Sequence, residues 1–302
     1  MIVYNNLNIK KIHKSSVVAI GNFDGLHLGH KKVLKEAQAK AKRNKLKFGM
    51  ITFEPLPLMF FDKKIKNYRI NSNFQKQYFL KKLKLDFLII IKFNKSFSNL
   101  SAKDFIKKII FTKLKCRYIF VSKNFRFGKK RKGNINTLKN YEKNYFYTTI
   151  ITNPYKKKKK LISSTLIRKI ISKGNVKAAG GLLGRNWSII GKVIKGERRG
   201  RKIGFPTCNI ELKNYTIPKL GVYSVIVKTK YFRKKGIANI GYRPTFNGSK
   251  LLLEVNIFGI NLNLYKKTIE VCFIKFIRAE KKFRGIKELK QQIKKDISIA
   301  KK

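Results

Sequence analysis

From Ser16 to about Leu100, short apolar runs alternate with lysine-rich amphipathic stretches. The runs Val17 to Ile20, Phe48 to Phe53 and Phe87 to Phe93 are brief and rich in β-branched and aromatic residues, which predicts strands; Val33 to Lys45 and Phe74 to Leu83 predict helices. This alternation is that of an α/β domain built on a parallel sheet. It continues through Ala102 to Leu114 (helix) and Tyr118 to Val121 (strand), which leads into Asn124-Phe125-Arg126-Phe127-Gly128. Further on, helices are predicted from Leu166 to Lys173, ended by Gly174, and from Val176 to Leu183, closed by Gly184. The texture then changes. Ile189 to Ile194, Tyr223 to Lys228, Lys235 to Ile240, Leu251 to Phe258 and Thr268 to Phe276 are separated by Gly, Pro and Asn turns and predict an antiparallel β-barrel. A last helix, Ile286 to Ile299, puts Leu289, Ile293 and Ile297 on one stripe that covers the barrel. The expected organisation is two domains, 1–183 and 184–302, without internal repeats.

Composition refines this only slightly. The 302 residues suffice for two cores, and 43% hydrophobic content fits globular protein. The formal charge of +59, from 73 Lys+Arg against 14 Asp+Glu, would by itself suggest nucleic acid or an anionic membrane surface. Lysine, however, is spread along the whole chain together with Ile, Asn, Phe and Tyr, as AT-rich coding would produce, so no specific nucleic-acid partner is expected. The densest run, Lys156 to Lys160, is expected to be an exposed loop. Cys116, Cys208 and Cys272 are isolated, with neither a disulfide framework nor a zinc pattern. The first residues lack an apolar signal core, and the longest apolar run, Phe87 to Ile91, is too short to span a bilayer. A soluble, cytoplasmic protein is expected, and the sequence leaves its oligomeric state open.

Chemistry concentrates in Gly21-Asn22-Phe23-Asp24-Gly25-Leu26-His27-Leu28-Gly29-His30, which holds two of the three histidines. The string lies between a predicted strand and a predicted helix. Such a turn presents unpaired N–H groups and the positive end of a helix dipole to an anion, and two imidazoles can add donors to phosphoryl oxygens. A zinc site is the poorer reading, since three or four ligands are needed and no Cys, Asp or Glu cluster lies near.

A second glycine-rich basic loop runs from Gly196 through Arg201 and Gly204 to Phe205-Pro206-Thr207-Cys208-Asn209, with spacing unlike a Walker A loop. Thr207 and Asn209 carry hard oxygen donors suited to Mg²⁺ and, two apart on an extended segment, face the same side. The basic and glycine residues upstream suit ATP phosphates. Glu254 interrupts the apolar run Leu251 to Phe258; it reads either as a solvent-facing strand residue or as the carboxylate that accepts a proton from an attacking alcohol.

The first string resembles the GxFDGxHxGH signature of the HxGH nucleotidyltransferases, in particular their flavin-nucleotide branch. The second group resembles the riboflavin kinase pattern, through Gly204 to Asn209, Asn239-Ile240-Gly241-Tyr242-Arg243-Pro244-Thr245, Glu254, and Arg278-Ala279-Glu280-Lys281-Lys282-Phe283. Both in this order resemble the bacterial bifunctional riboflavin kinase/FMN adenylyltransferase (FAD synthetase) family across almost the whole chain. The resemblance implies a Rossmann-like nucleotidyltransferase domain followed by a kinase barrel. It implies ATP as co-substrate, Mg²⁺ as cofactor, and riboflavin, FMN and FAD as substrates and products.

Residue by residue, Glu254 would be the kinase base, with Thr207 and Asn209 on Mg-ATP and Gly196, Arg201 and Gly204 on its phosphates. In the other domain, His27 and His30 would stabilise phosphate charge within the frame of Gly21, Phe23, Asp24, Gly25 and Gly29. Asn124, Ser164, Thr165 and Arg168 would position nucleotide and leaving group. Three departures fall in this domain: Leu56 where the family has histidine, Leu166 where it has arginine, and Ser122-Lys123 before Asn124. Leu56 removes a donor expected to face the phosphates, so slow adenylyl transfer is expected. The alternatives are a riboflavin kinase with a decayed adenylyltransferase domain and, from charge alone, a nucleic-acid-binding protein.

Overall fold

In the computed structural model, residues 1–157, 160–196, 199–245, 248–260 and 262–302 are described. Six parallel strands form the first sheet: β1 (Ile2–Tyr4), β2 (Val17–Ile20), β3 (Phe48–Glu54), β4 (Phe87–Lys92), β5 (Tyr118–Ser122) and β6 (Thr148–Thr152), in the order β1-β4-β3-β2-β5-β6. Side chains alternate across a strand, so the two faces of β2 feed two cores. Val18 and Ile20 pack with Phe105, Ile106, Ile109 and Ile110 on one side. Val17 and Ala19 pack with Val33, Leu34 and Ala37 of the helix Leu28–Arg43 on the other. Burial on both faces is why β2 reads as an unbroken apolar run. Strand order reverses around β2, and the crevice beyond the carboxyl ends of strands at such a point is where open α/β sheets bind ligands.

The pattern did not foretell β1 and β6. Both are edge strands, held by main-chain pairing to β4 and β5 more than by apolar periodicity of their own. The expected helix over 102–114 is one α-turn, Ala102–Asp104, followed by a wider π-helix, Phe105–Lys113. At the ends of the lysine run β7 (Lys156–Lys157) pairs antiparallel with β8 (Lys160–Leu161); Lys158 and Lys159 lie outside the described residues.

The second sheet is antiparallel: β9 (Ser188–Lys192), β10 (Cys208–Glu211), β11 (Gly221–Lys228), β12 (Arg233–Thr245), β13 (Gly248–Ile257) and β14 (Thr268–Arg278), ordered β10-β13-β12-β11-β14-β9. Its ends meet where the Ile194 N–H donates to the Asn209 carbonyl at 2.9 Å, which all but closes the barrel. Trp187, Tyr223 and Phe273 are fully buried, with Trp187–Phe273 and Tyr223–Phe273 ring centroids 4.8 and 5.2 Å apart. Ile293 and Ile297 of the terminal helix Ile286–Lys301 pack on Val222 and Ile237.

By internal contacts the chain divides into Met1–Lys66 with Lys76–Ser163, and Asn67–Gln75 with Ser164–Lys302. The second unit thus begins earlier than the expected boundary at 183. It includes the helices Ser164–Ser172 and Val176–Leu183, the latter closed by Gly184 in the left-handed region as expected. It also takes in the short segment Asn67–Gln75. The reason is polar: Trp187 Nε1 donates to the Ile70 carbonyl (3.0 Å), Gln75 Nε2 to the Ser188 carbonyl (2.9 Å), and the Tyr215 hydroxyl to Gln75 Oε1 (2.7 Å).

Candidate active sites

In the first unit the turn from Gly21 to His27 leaves β2 at the strand-order reversal. Its backbone is left-handed at Phe23 (φ 46°), Gly25 (φ 84°) and Leu26 (φ 42°), and only the glycine adopts that region without steric cost. Such strain in non-glycine residues is sustained by surrounding structure and gathers at functional sites. The support here is Lys76. Lys76 is 2% exposed, and its ammonium donates to the Asn22 carbonyl (2.9 Å) and to Thr52 Oγ1 (3.1 Å), while Thr52 Oγ1 donates to that same carbonyl (3.1 Å). The turn after β2 is thereby tied to β3.

His27 caps the helix Leu28–Arg43, its Nδ1 accepting from the His30 N–H at 3.2 Å. With Nδ1 accepting, Nε2 is the ring nitrogen that can donate. The His27 and His30 rings stack, with centroids 3.6 Å apart and planes 18° from parallel. A Cβ on Gly29 would lie 3.2 Å from the His27 ring, so glycine is what lets the imidazole lie against the first helical turn. Asp24 is buried (2% exposed), and Asn124 is exposed in the turn after β5, where the Phe125 N–H donates to the Ser122 carbonyl. Leu56 follows β3 but is only 2% exposed, so the position expected to face phosphates is buried in this chain.

Ser164, Thr165 and Arg168 lie in the helix Ser164–Ser172 of the second unit. Arg168 Nε donates to the Tyr68 carbonyl (2.8 Å) and its guanidinium stacks 3.6 Å above the Tyr68 ring. Their nucleotide assignment rests on the motif alone.

The second constellation assembles in the barrel. Gly196, Arg201, Thr207 and Asn209 line one cavity of about 400 Å³, with Pro206, Val255 and Ile257 among its other walls. The Thr207 segment is held by Asn256 Nδ2, which donates to the Pro206 carbonyl at 2.7 Å. Gly204 is in the left-handed region (φ 90°) at the end of the loop; Glu197 and Arg198 lie outside the described residues. Asn209 is 8% exposed, and its Oδ1 is buried without a hydrogen-bond partner among the described residues. A buried amide oxygen left unsatisfied is costly and calls for an external partner. Burial also raises the Cys208 thiol above its ordinary range.

Glu254 does not line this cavity, but register makes it the strand partner of Asn209, which does. It pairs with Asn209 across β10–β13 and with Asn239 across β13–β12, which puts the three side chains in one row. Arg243, at the far end of β12, directs Nε (3.2 Å) and Nη2 to Glu254 Oε2. The same guanidinium reaches Glu280 Oε1 through Nη1 (3.4 Å), and Asn239 Nδ2 donates to that oxygen (3.3 Å). Burial by itself would lower the Arg243 pKa, but Glu254 and Glu280 outweigh it and hold the guanidinium more firmly protonated. Sequence reasoning missed Lys76, because one lysine among so many carries no signal. Asn239, Arg243 and Glu280 stood in motifs without roles; the scarcity of acids was the one available hint for Glu280.

Residues 9–166 match the family model described as FAD synthetase, and residues 183–302 match that described as riboflavin kinase. A bifunctional riboflavin kinase/FMN adenylyltransferase of Buchnera aphidicola subsp. Schizaphis graminum is 46% identical over 98% of this chain and 96% of its own length. Its counterpart in Escherichia coli K12 is 34% identical over 93% of this chain and 90% of its own. A solved chain from Streptococcus pneumoniae, titled a macrolide-efflux protein, superposes with a TM-score of 0.87 at 32% identity, covering 100% of this chain and 99% of that one.

Proposed function

The chain belongs to the bifunctional riboflavin kinase/FMN adenylyltransferase family, and from that premise we propose how its residues divide the work. It phosphorylates riboflavin to FMN and adenylylates FMN to FAD, with ATP as co-substrate in both steps. No helix among the described residues is long and apolar enough to cross a membrane.

For the kinase, ATP occupies the cavity bearing Gly196, Arg201, Thr207 and Asn209, and the terminal ribityl hydroxyl of riboflavin attacks the γ-phosphorus while Glu254 accepts its proton. The observation that supports this reading is the row Asn209–Glu254–Asn239, in which the carboxylate is the strand partner of a residue that lines the cavity. The orphaned Asn209 Oδ1 and the neighbouring Thr207 hydroxyl suit Mg²⁺, which takes one or two protein oxygens together with phosphates and water. Bound there, the ion supplies charge neutralisation to the transferring phosphoryl group. No cluster of three or more His, Cys, Asp or Glu side chains among the described residues offers a competing metal site.

For adenylyl transfer, the FMN phosphate attacks the α-phosphorus of ATP and pyrophosphate departs, so no covalent enzyme intermediate is required. His27 and His30, with the N–H groups of the helix they begin, stabilise the charge that develops. Asn124 orients the nucleotide from the turn after β5. The catalytic modules are 1–183 and 184–302, and the protein works in the cytoplasm, where its three free cysteines stay reduced. The test is incubation of the purified protein with riboflavin and Mg-ATP, with FMN, FAD and pyrophosphate quantified. FMN without FAD would leave only the kinase half of the reading.

A further inference from the structure

Glu254 is proposed as the base, yet it is bound to a guanidinium, and an unshared arginine would make it a poor proton acceptor. Both bonds from Arg243 end on one oxygen, Oε2, so the guanidinium leaves Oε1 to other partners. Arg243 is held in this pose through Nη1, which donates to the Tyr242 carbonyl (3.1 Å) and to Glu280 Oε1 (3.4 Å), the latter being its second carboxylate. Glu280 also accepts from Asn239 Nδ2, which fixes the next residue in the row that contains Glu254. Glu280 stands two residues beyond Arg278, whose Nε and Nη2 clamp the buried Asp296 of the terminal helix at 2.8 to 3.0 Å. The segment that carries Glu280 is therefore anchored independently of the nucleotide cavity.

We propose that Glu280 is a positioning residue for phosphoryl transfer: by sharing Arg243 with Glu254 and holding Asn239, it keeps the guanidinium on Oε2 and presents Oε1 to the substrate hydroxyl. This rests on the reading of Glu254 as the base. Among the described residues, the charged groups around Glu254 are Arg243 on β12, Glu280 beyond β14, and Glu211 two residues from Asn209 on β10, itself paired with Lys213 and Lys250.

Removing the Glu280 charge gives Arg243 wholly to Glu254 and takes away a nearby like charge. Both changes make Glu254 a weaker base. In Glu280→Gln the acid limb of the riboflavin kinase kcat profile should therefore move to lower pH. Plateau kcat should fall by about threefold to tenfold while the KM for Mg-ATP stays within about twofold. Glu280→Asp, which keeps the carboxylate, should return the limb toward its parental position. A urea melt followed by the fluorescence of Trp187, buried in the same unit as Glu280, monitors folding. Side chains about one-third exposed tolerate such polar exchanges.

A lower kcat with an unmoved limb, or an unchanged kcat, would make Glu280 merely structural and overturn the proposal. If Glu280→Gln fails to fold, the limb of Glu280→Asp decides: away from the parental pH by more than that of a control in the other unit such as Asp104→Glu, it overturns the proposal. Glu254→Gln separates the two readings. Its inactivity beside an unaffected Glu280→Gln sinks only the positioning role, and parental activity in Glu254→Gln sinks both.

Discussion

At the scale of single residues the two reactions make separable demands. His27 and His30 lie on the first unit and Glu254 on the barrel. His27→Ala or His30→Ala should thus cut FAD formation by roughly a hundredfold, the usual effect of losing a preorganised donor, and leave riboflavin phosphorylation within about twofold. Quantifying FMN and FAD from one reaction checks both; loss of FMN in a folded variant would contradict separate sites. Thr207→Ala and Asn209→Ala should raise the KM for Mg-ATP, whereas Glu254→Gln should chiefly lower kcat. Leu56 demands a revision. Because it is buried, Leu56→His should lower the stability of the first unit by about 1–3 kcal/mol, the cost of a buried polar group lacking a partner. Faster pyrophosphate release from FMN and ATP in that variant would instead show that the position opens toward the nucleotide.

At the scale of elements, two anchors stand out. Asp296 is 1% exposed and receives Arg278 from β14, so it is the point at which the terminal helix is fastened to the barrel. Asp296→Ala strands the partly buried guanidinium and should destabilise the barrel by about 3–5 kcal/mol, measurable by urea denaturation followed through kinase activity. The other anchor is His13, which stacks on Phe87 of β4 at 4.7 Å and shares a 2.8 Å hydrogen bond with the Tyr4 hydroxyl of β1. Burial lowers its pKa below 6.5, outweighing the nearby Asp86 carboxylate. The unfolded chain then binds the proton more readily than the folded one, so this contribution is complete above the unfolded value and is lost as pH falls through the folded one. Thermal melts of the first unit should weaken below about pH 6.5, less so in His13→Phe.

At the scale of the molecule the charge of +59 invites a polyanion, and lysine spread along the chain argues against a dedicated one. Binding to mixed-sequence DNA or RNA should be weak at low salt and vanish at moderate salt as counterions compete. A filter-binding titration against salt checks this; affinity that survives physiological salt with a preferred sequence would indicate a real nucleic-acid role.

The sequence by itself determined the order of the central strands and main helices, the change from parallel to antiparallel texture, and the two glycine-rich loops. These depend on local periodicity and on glycine and histidine placement, which neighbours along the chain suffice to specify. It could not determine β1 and β6, since edge strands exist through the partner they pair with. Nor could it show that Asn67–Gln75 packs with the barrel, that Lys76 braces the strained turn, or that Leu56 is buried. The row Asn209–Glu254–Asn239 joins residues 15 to 45 positions apart, and only strand register could align them. Arg243 and Glu280 acquire meaning from that alignment, because a hydrogen bond depends on distances in space that no pattern along the chain encodes.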